Sequence, residues 1–420
     1  MDKFVIQGGT RLQGDVTISG AKNSLLALMP ATILAPGEFT LDNIPDLRDV
    51  VTMRRLLEIM GLSVSFDGKR LTIDSSTIHN FEAPYEQVKK MRASIYVLGP
   101  LLARYGEARV SLPGGCAWGP RPVNFHIEGM KKLGAEIKIE HGYIVAKAKK
   151  LKGARISFDT PSVGATGNII MAAVLAEGTT LIENAAMEPE INQLAQFLKK
   201  MGAKIHGIGT KRLDIEGVQE LKPANIATIP DRIEAGTFLV AGAITGSTIT
   251  VKNCIPDHIR AVLSKLEQAG CTITVERSSI TVESPETLEP VSLATDVYPG
   301  FPTDMQAQWI ALMCRAKGTS VITDSIFVDR FKHVPELNRL GANVEVEENV
   351  AVVRGNGNLK GAKVMSTDLR ASASLILAGL IAEGETEVLR VYHIDRGYES
   401  IEKKLRKLGA QIERVQTEEF

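Results

Sequence analysis

GATGNIIMAAVLAEGTTLIENA, residues 164–185, holds the organisation of the whole chain in one copy. A small, polar start leads into an apolar helix of about three turns. A glycine-centred stop follows, and the stretch ends as a β-branched strand. The helix is apolar nearly all round, which predicts burial inside a domain rather than a place on its surface. The pattern recurs as AKNSLLALMPATILAPGEFTLDNI from Ala21, RASIYVLGPLLARYGEARVSLPGG from Arg92, EAGTFLVAGAITGSTITVKNC from Glu234, DMQAQWIALMCRAKGTSVITDS from Asp304 and ASASLILAGLIAEGETEVLRV from Ala371. Successive starts lie 67–72 residues apart along the 420-residue chain.

A second motif follows every copy: MRRLLEIMGLSVSF, IEGMKKLGAEIKI, INQLAQFLKKMGAKIHG, IRAVLSKLEQAGCTITV, VPELNRLGANVEV and IEKKLRKLGAQIERV. Leu, Ile and Met recur at helical spacing with Lys and Glu between them, so one face of this helix is charged and outward. The glycine after the last turn suits a left-handed cap, and an alternating strand comes next. A period near 70 exceeds the roughly 20–50 residues of common solenoid repeats, so each unit reads as a βαβαββ-like module. Six modules divide most simply into two domains of three. The first is placed at residues 21–229 and the second at residues 1–20 with 230–420. FVIQGGTRLQGDVTISG, residues 4–20, resembles the segments before the third and sixth copies. It is read as the first unit's opening strand, supplied from the terminus and able to pair with the last units. A simple cut near the middle differs only in where residues 1–20 pack.

The bulk composition is that of an ordinary globular chain, 44% hydrophobic and 23% charged. Lys+Arg and Asp+Glu both total 49, so there is no basic excess of the kind a nucleic-acid binder carries. Any anionic ligand must be met by local clusters. The four cysteines, at 116, 254, 271 and 314, form neither a disulfide framework nor a metal-ligand spacing. The opening residues lack a basic-then-apolar signal pattern, and no uncharged apolar run approaches the roughly 20 residues of a membrane helix. These features predict a cytoplasmic protein without membrane or nucleic-acid partners. HExxH, Walker and strand-following GxGxxG motifs are absent from the sequence, which disfavours metal hydrolysis and nucleoside-triphosphate chemistry.

Chemistry is expected at the helix starts. A helix N-terminus offers unpaired N–H groups and partial positive charge, a ready anion site. Lys22-Asn23, Arg92, Asp304 and Arg370 stand at such starts. Singly each reads as a cap or a solvated charge; as a set they read as a cleft for anions. The loop PGGCAWGPRP, residues 113–122, breaks the repeat with glycine and proline. It carries Cys116 and Arg121, and a thiol beside a cation has a lowered pKa and a more reactive thiolate. Cys254, Cys271 and Cys314 sit in strand or helix patterns and read as small buried hydrophobes. Weaker candidates are Arg396, just before the last amphipathic helix, His126, which reads as lining the cleft or as a cap, and Arg330 and His333, in a polar turn.

These motifs together resemble the UDP-N-acetylglucosamine 1-carboxyvinyltransferases of the enolpyruvyl transferase family. The resemblance rests on GAKN (20–23), MRAS (91–94), LPGGCAWGPRPVNFHIEGM (112–130), PSVGATGNI (161–169), FPTDMQAQ (301–308), DRFKHVPEL (329–337), TDLRASASL (367–375) and YHIDRGYE (392–399). It implies an α/β fold of two inside-out barrel domains, each of three βαβαββ repeats. It implies transfer of the enolpyruvyl group of phosphoenolpyruvate to the 3′-hydroxyl of UDP-N-acetylglucosamine, with loss of phosphate and without metal or organic cofactor. Lys22, Arg121 and Arg396 are then expected to hold phosphoenolpyruvate, and Asn23 to position the sugar or intermediate. Cys116 is the implied acid and adduct-forming thiol, Asp304 the general base, with Asp368 and Arg370 as electrostatic support. Arg92, the stretch Arg121, Pro122, Val123, Asn124 and Phe125, the stretch Thr160, Pro161, Ser162, Val163 and Gly164, Ile326 and Arg330 complete the implied substrate set. A cysteine at 116 implies alkylation by the epoxide fosfomycin. The shikimate branch of the family shares the repeats but not the cysteine loop. A repeat-built sensor without catalysis is the remaining alternative.

Overall fold

In each repeat a glycine turn follows the buried helix and another follows the outer helix. A computed structural model of the chain describes residues 2–112 and 123–418, so Cys116, Arg121 and Pro122 lie outside the described residues. The six glycines after the buried helices (37, 106, 178, 246, 318, 384) and the six after the outer helices (61, 134, 202, 270, 341, 409) all have positive φ. Side chains rarely tolerate that region, and a reversing turn needs it.

The chain divides into two compact units, Gly20–Ile229 and Met1–Ser19 with Pro230–Phe420. The first centres on helices α1 (Lys22–Ala31), α2 (Leu98–Tyr105) and α3 (Val163–Ala173). The second centres on α4 (Arg232–Ile244), α5 (Gln306–Arg315) and α6 (Leu369–Gly379). Twelve of the 13 residues of α4 are buried, as a helix apolar on every side requires. Its large side chains, among them Phe238 and Leu239, join Trp309 of α5 in one hydrophobic core. Truncating a side chain such as the fully buried Trp309 would cost about 3–5 kcal/mol. The outer helices are one-sided: Pro189–Lys200 buries Ile191, Leu194, Phe197 and Leu198 and ends on Lys199 and Lys200, charges that suit a helix C-terminus.

Among the described residues, six four-stranded sheets cover these helices, three in each unit. Glu82–Ala83, Glu107–Ser111, Tyr143–Lys147 and Glu136–Glu140 show the repeated order: a short opening strand lies parallel to the strand after the buried helix, and the other pairings are antiparallel. Strands such as Thr248–Lys252 bury alternate residues, the period-two pattern of a sheet with one face inward. The α/β repeat architecture is thus the one expected.

The opening strands correct one expectation. The first repeat's opening strand is Asn225–Ala227, which runs parallel to Glu38–Asp42, and not the terminal segment. The terminal Gln13–Thr17 instead opens the fourth repeat beside Thr248–Lys252, while Asp2–Gln7 lies between Glu385–Leu389 and Gln411–Gln416 in the last sheet. A recurring asparagine marks the equivalence. Asn43, Asn184 and Asn253, each with positive φ, donate a side-chain N–H to the carbonyl at the exit of an opening strand: Thr228 at 2.7 Å, Phe158 at 2.9 Å and Ile18 at 2.8 Å. The physical reason is closure. A unit of three repeats leaves no sheet lacking its parallel edge strand only if the segments flanking the two chain crossings, near residues 19–20 and 229–231, supply the missing ones. Asp231 N–H donates to Ser19 O at 2.9 Å on one side of the crossing, and Ala21 N–H to Ile229 O at 2.7 Å on the other.

Candidate active site

In the unit formed by Met1–Ser19 and Pro230–Phe420, the chemistry gathers at the starts of α4, α5 and α6. Asp231 caps α4 by accepting from the N–H groups of Ile233 and Glu234, and Asp368 caps α6 by accepting from those of Arg370 and Ala371. Asp304 makes no cap bond in its 3-10 turn, Thr303–Met305. Its carboxylate turns instead to two guanidiniums: Oδ1 accepts from Arg330 Nη2 at 2.6 Å and Oδ2 from Arg370 Nη2 at 2.7 Å. Burial pushes the Asp304 carboxyl up, but Arg370 and Arg330 outweigh it and hold the group well below the usual carboxylate range. The arginine side chains are 7% exposed and that of Asp304 26%, so a ligand can reach the carboxylate without first displacing its partners.

Glycine permits this approach. A Cβ at Gly236 on α4 would lie 2.8 Å from Ile259 and 3.0 Å from Met305, the neighbour of Asp304. Behind the pair, Arg330 Nη1 donates to Thr303 Oγ1 at 2.8 Å, and that hydroxyl donates to Asp324 Oδ2 at 2.7 Å. The other Asp324 oxygen accepts from the N–H groups of Ile326 and Phe327 and from Thr295, which fixes the loop holding Ile326. Arg396 closes the 3-10 turn Val391–Arg396 and is half-buried, while His333 is buried and pushed down to about 3 by desolvation and then by Arg330.

In the unit Gly20–Ile229 the helix starts carry cations. Lys22 is the first residue of α1, and its Nζ lies 3.2 Å from Asp49 Oδ2, with side chains 11% and 5% exposed. Asn23, one position on, is exposed. Arg92 begins the 3-10 turn Arg92–Val97 and is half-buried. Ser162 caps α3 through Ala165 N–H, preceded by exposed Thr160 and half-buried Pro161 and followed by exposed Val163. The segment Val123, Asn124 and Phe125 lies against this start. Phe125 meets Phe158 edge-on at 5.8 Å, and a Cβ on Gly164 would lie 3.1 Å from His126 Nε2. Two stretches about 40 residues apart in sequence, both expected to meet one ligand, therefore come together.

The proton on His126 is assigned by its neighbours. Gly99 N–H donates to Asn168 Oδ1 at 2.6 Å, which fixes that amide; Asn168 Nδ2 then donates to Ile95 O at 2.9 Å and to His126 Nδ1 at 3.0 Å. With Nδ1 accepting, the ring carries its hydrogen on Nε2, the atom facing Gly164. Burial, and then the charge of Arg92, push His126 down to about 4, so the ring is neutral near pH 7.

Several participants escape a sequence reading. Asp49 lies on the outer helix Arg48–Ile59 and reads there as a first-turn charge. Asp231 carries a signal, an aspartate directly before a helix. Tyr398, Thr237 and Gln308 read as core or helix polar residues, yet all are buried: Tyr398 bonds Arg370, Gln308 bonds the backbone of Asp304, and Thr237 bonds both Tyr398 and Gln308. Among the described residues, no helix is long and apolar enough to cross a membrane.

A sequence-family profile described as EPSP synthase (3-phosphoshikimate 1-carboxyvinyltransferase) matches residues 6–405. Proteins named UDP-N-acetylglucosamine 1-carboxyvinyltransferase are similar along the full chain. That of Chloroherpeton thalassium is 60% identical over 423 aligned positions, covering 100% of this chain and 99% of its own. That of Chlorobaculum parvum is 59% identical, covering 100% of both. Among solved structures, the enolpyruvyl transferase NikO from Streptomyces tendae superposes with a TM-score of 0.90 at 26% identity, covering 99% of each chain. EPSP synthase from Acinetobacter baumannii, at 19% identity and a TM-score of 0.79, covers 99% of this chain and 100% of its own and shares the fold. On identity over its whole length, the chain belongs to the enolpyruvyl transferase family, among the UDP-N-acetylglucosamine 1-carboxyvinyltransferases.

Proposed function

We propose that the chain transfers the enolpyruvyl group of phosphoenolpyruvate to the 3′-hydroxyl of UDP-N-acetylglucosamine, releasing phosphate, as the first committed step of peptidoglycan synthesis in the cytoplasm. The observation that carries the reading is the Asp304 carboxylate, ionised between Arg330 and Arg370 and still partly exposed. Such a group accepts a hydrogen bond from a sugar hydroxyl and takes its proton as the new C–O bond forms. Two guanidiniums make it a weak base at rest, so its contribution is orientation first and proton acceptance late in the step.

The chemistry assigns the remaining roles. The hydroxyl oxygen bonds to C2 of phosphoenolpyruvate while a proton is added to C3. The tetrahedral adduct then loses a C3 proton and phosphate, which restores the double bond. Cys116 is the acid for C3 and the thiol that forms an adduct with phosphoenolpyruvate. Lys22, Arg121 and Arg396 pair with the phosphate and carboxylate by charge-assisted hydrogen bonds. Asn23 positions the sugar. Arg92, residues 121–125, residues 160–164 and Ile326 receive the uridine diphosphate, supported by the exposed N-terminus of α3, which suits an anion. Asp368 and Arg370 supply fixed charge beside the reacting oxygen. The activated carbon is already present in phosphoenolpyruvate, so the reading calls for no cofactor.

Phosphate release from phosphoenolpyruvate, measured with each acceptor, tests the reading. Turnover with UDP-N-acetylglucosamine and none with shikimate 3-phosphate is expected. The reverse preference would place the chain in the sister branch, and binding of UDP-N-acetylglucosamine without turnover would make it a sensor.

A further inference from the structure

Tyr398 is 1% exposed, and its ring packs beneath the guanidinium of Arg370, whose Cζ lies 5.6 Å from the ring centroid. The hydroxyl touches three groups: Arg370 Nη1 at 3.1 Å, Gln308 Nε2 at 3.2 Å and Thr237 Oγ1 at 2.8 Å. Arginine only donates. The Gln308 amide nitrogen is identified by Asp304 O, a carbonyl that can only accept, at 3.0 Å. The Tyr398 proton therefore has one acceptor among these contacts, Thr237 Oγ1. That oxygen is free to accept, because its own hydrogen goes to Ile233 O at 2.8 Å, one turn back along α4. Tyr398 therefore donates to Thr237 and accepts from Arg370, while the second Gln308 N–H lies 3.2 Å from both the Tyr398 and the Thr237 oxygens.

The consequence falls on the guanidinium. Arg370 is held at two nitrogens, Nη1 by the Tyr398 oxygen and Nη2 by Asp304 Oδ2. Two fixed points set the plane of a rigid fork. Gln308 ties the same hydroxyl to the backbone of Asp304 itself. Gly397 makes room for this packing, since a Cβ there would lie 2.7 Å from Leu369 at the start of α6.

We propose that Tyr398, oriented by Thr237, is a positioning residue for this reaction: its hydroxyl fixes the Arg370 plane and through it the direction in which the Asp304 carboxylate faces the sugar hydroxyl. The inference rests on the proposed function. It predicts a turnover defect with little change in substrate affinity, because neither Tyr398 nor Thr237 is assigned to either substrate.

Steady-state phosphate release by the full chain, with phosphoenolpyruvate and UDP-N-acetylglucosamine, is the test, with thermal melting alongside. Tyr398→Phe is expected to lower kcat about tenfold or more, to leave both KM values within about threefold, and to remain folded. Thr237→Val should lower kcat in the same way, and Thr237→Ser, which keeps the acceptor, should restore it to within about twofold. Because Thr237 acts through Tyr398, adding Thr237→Val to Tyr398→Phe should cost less than about twofold more. Multiplying losses in the double variant would overturn the proposal, as would Tyr398→Phe turning over like the wild type. If Tyr398→Phe fails to fold, the contrast between Thr237→Val and Thr237→Ser decides, and equal impairment of both overturns it. A wild type without turnover on these substrates overturns the functional reading and this inference with it; when the wild type is active, a failure among the variants overturns the role of Tyr398 alone.

Discussion

Asp304→Asn removes the charge at the centre of the arginine pair and leaves the volume almost unchanged. In the wild type each carboxylate oxygen accepts from a different guanidinium, at 2.6 and 2.7 Å, and each arginine side chain is 7% exposed. Asparagine keeps one acceptor oxygen and turns an N–H donor toward the other arginine, whose charge then lacks its counter-ion. A hydrogen bond to a charged group contributes about 1.5–3 kcal/mol, and loss of one with weakening of the second comes to about 3 kcal/mol. The 26% exposure of Asp304 keeps the figure below the cost of breaking a wholly buried pair. In a unit of this size, 1 kcal/mol moves a melting midpoint by about 2–4 °C, so the variant should melt about 6–12 °C lower. The folded-state pKa of Asp304 lies below its unfolded value of 3.8, so its stabilisation is complete above that value and is lost as pH falls through the folded pKa. The gap between wild type and variant should therefore stay constant from about pH 5 to 8. Turnover should drop about 10²–10⁴-fold through loss of the proton acceptor. Calorimetry across pH with phosphate release decides it. A variant melting within about 2 °C of the wild type at pH 7 would refute the claim that the carboxylate bridges two buried cations.

Asp49→Asn should lower kcat/KM for phosphoenolpyruvate about tenfold, since Lys22 then loses the charge that holds its Nζ at 3.2 Å; unchanged kcat/KM would show that Lys22 is placed by other groups. His126 is pushed down to about 4 from 6.5, so its contribution to stability is full above 6.5 and falls away as pH drops toward 4, about 3 kcal/mol in all. Urea titrations at pH 7 and 4.5 should therefore show a smaller pH dependence for His126→Gln than for the wild type, and equal dependences would contradict the buried neutral ring. Fosfomycin, with UDP-N-acetylglucosamine present, should add one equivalent at Cys116 by mass spectrometry and abolish turnover. Cys116→Asp should stay active with a shifted pH profile and resist the epoxide, and an unmodified Cys116 in an active wild type would remove the thiol from the site.

The repeat was legible because it is local. Each glycine stop, each all-apolar helix and each alternating strand is written within about 25 residues, and the backbone follows them. The partner of an opening strand is not local. Residues 13–17 and 225–227 share one pattern, so sequence similarity cannot say which sheet each joins; the crossings near residues 19–20 and 229–231 decide. At the site, charges at helix starts announced Lys22, Arg92, Asp304 and Arg370. The groups that orient them did not announce themselves. A buried Tyr398 has the same signature as a core aromatic, and Asp49 the same as any acidic residue in a helix's first turn; only the fold brings them to Arg370 and Lys22.

The late partners of the terminal strands also set an order of assembly on the ribosome. Gly20–Ile229 holds all its own strands in one continuous stretch, so it can close as soon as it has emerged. Asp2–Gln7 and Gln13–Thr17 cannot. The first waits for Glu385–Leu389 and Gln411–Gln416, the second for Thr248–Lys252. At about 5–20 residues per second, Asp2–Gln7 stays unpaired for about 20–80 s, while Gly20–Ile229 can already be folded. Through that interval the segment Asp2–Gln7, with apolar Phe4 and Ile6 that end fully buried, needs shelter. Residues 2–7 are thus made before the strands they pair with and are among the last to find their place.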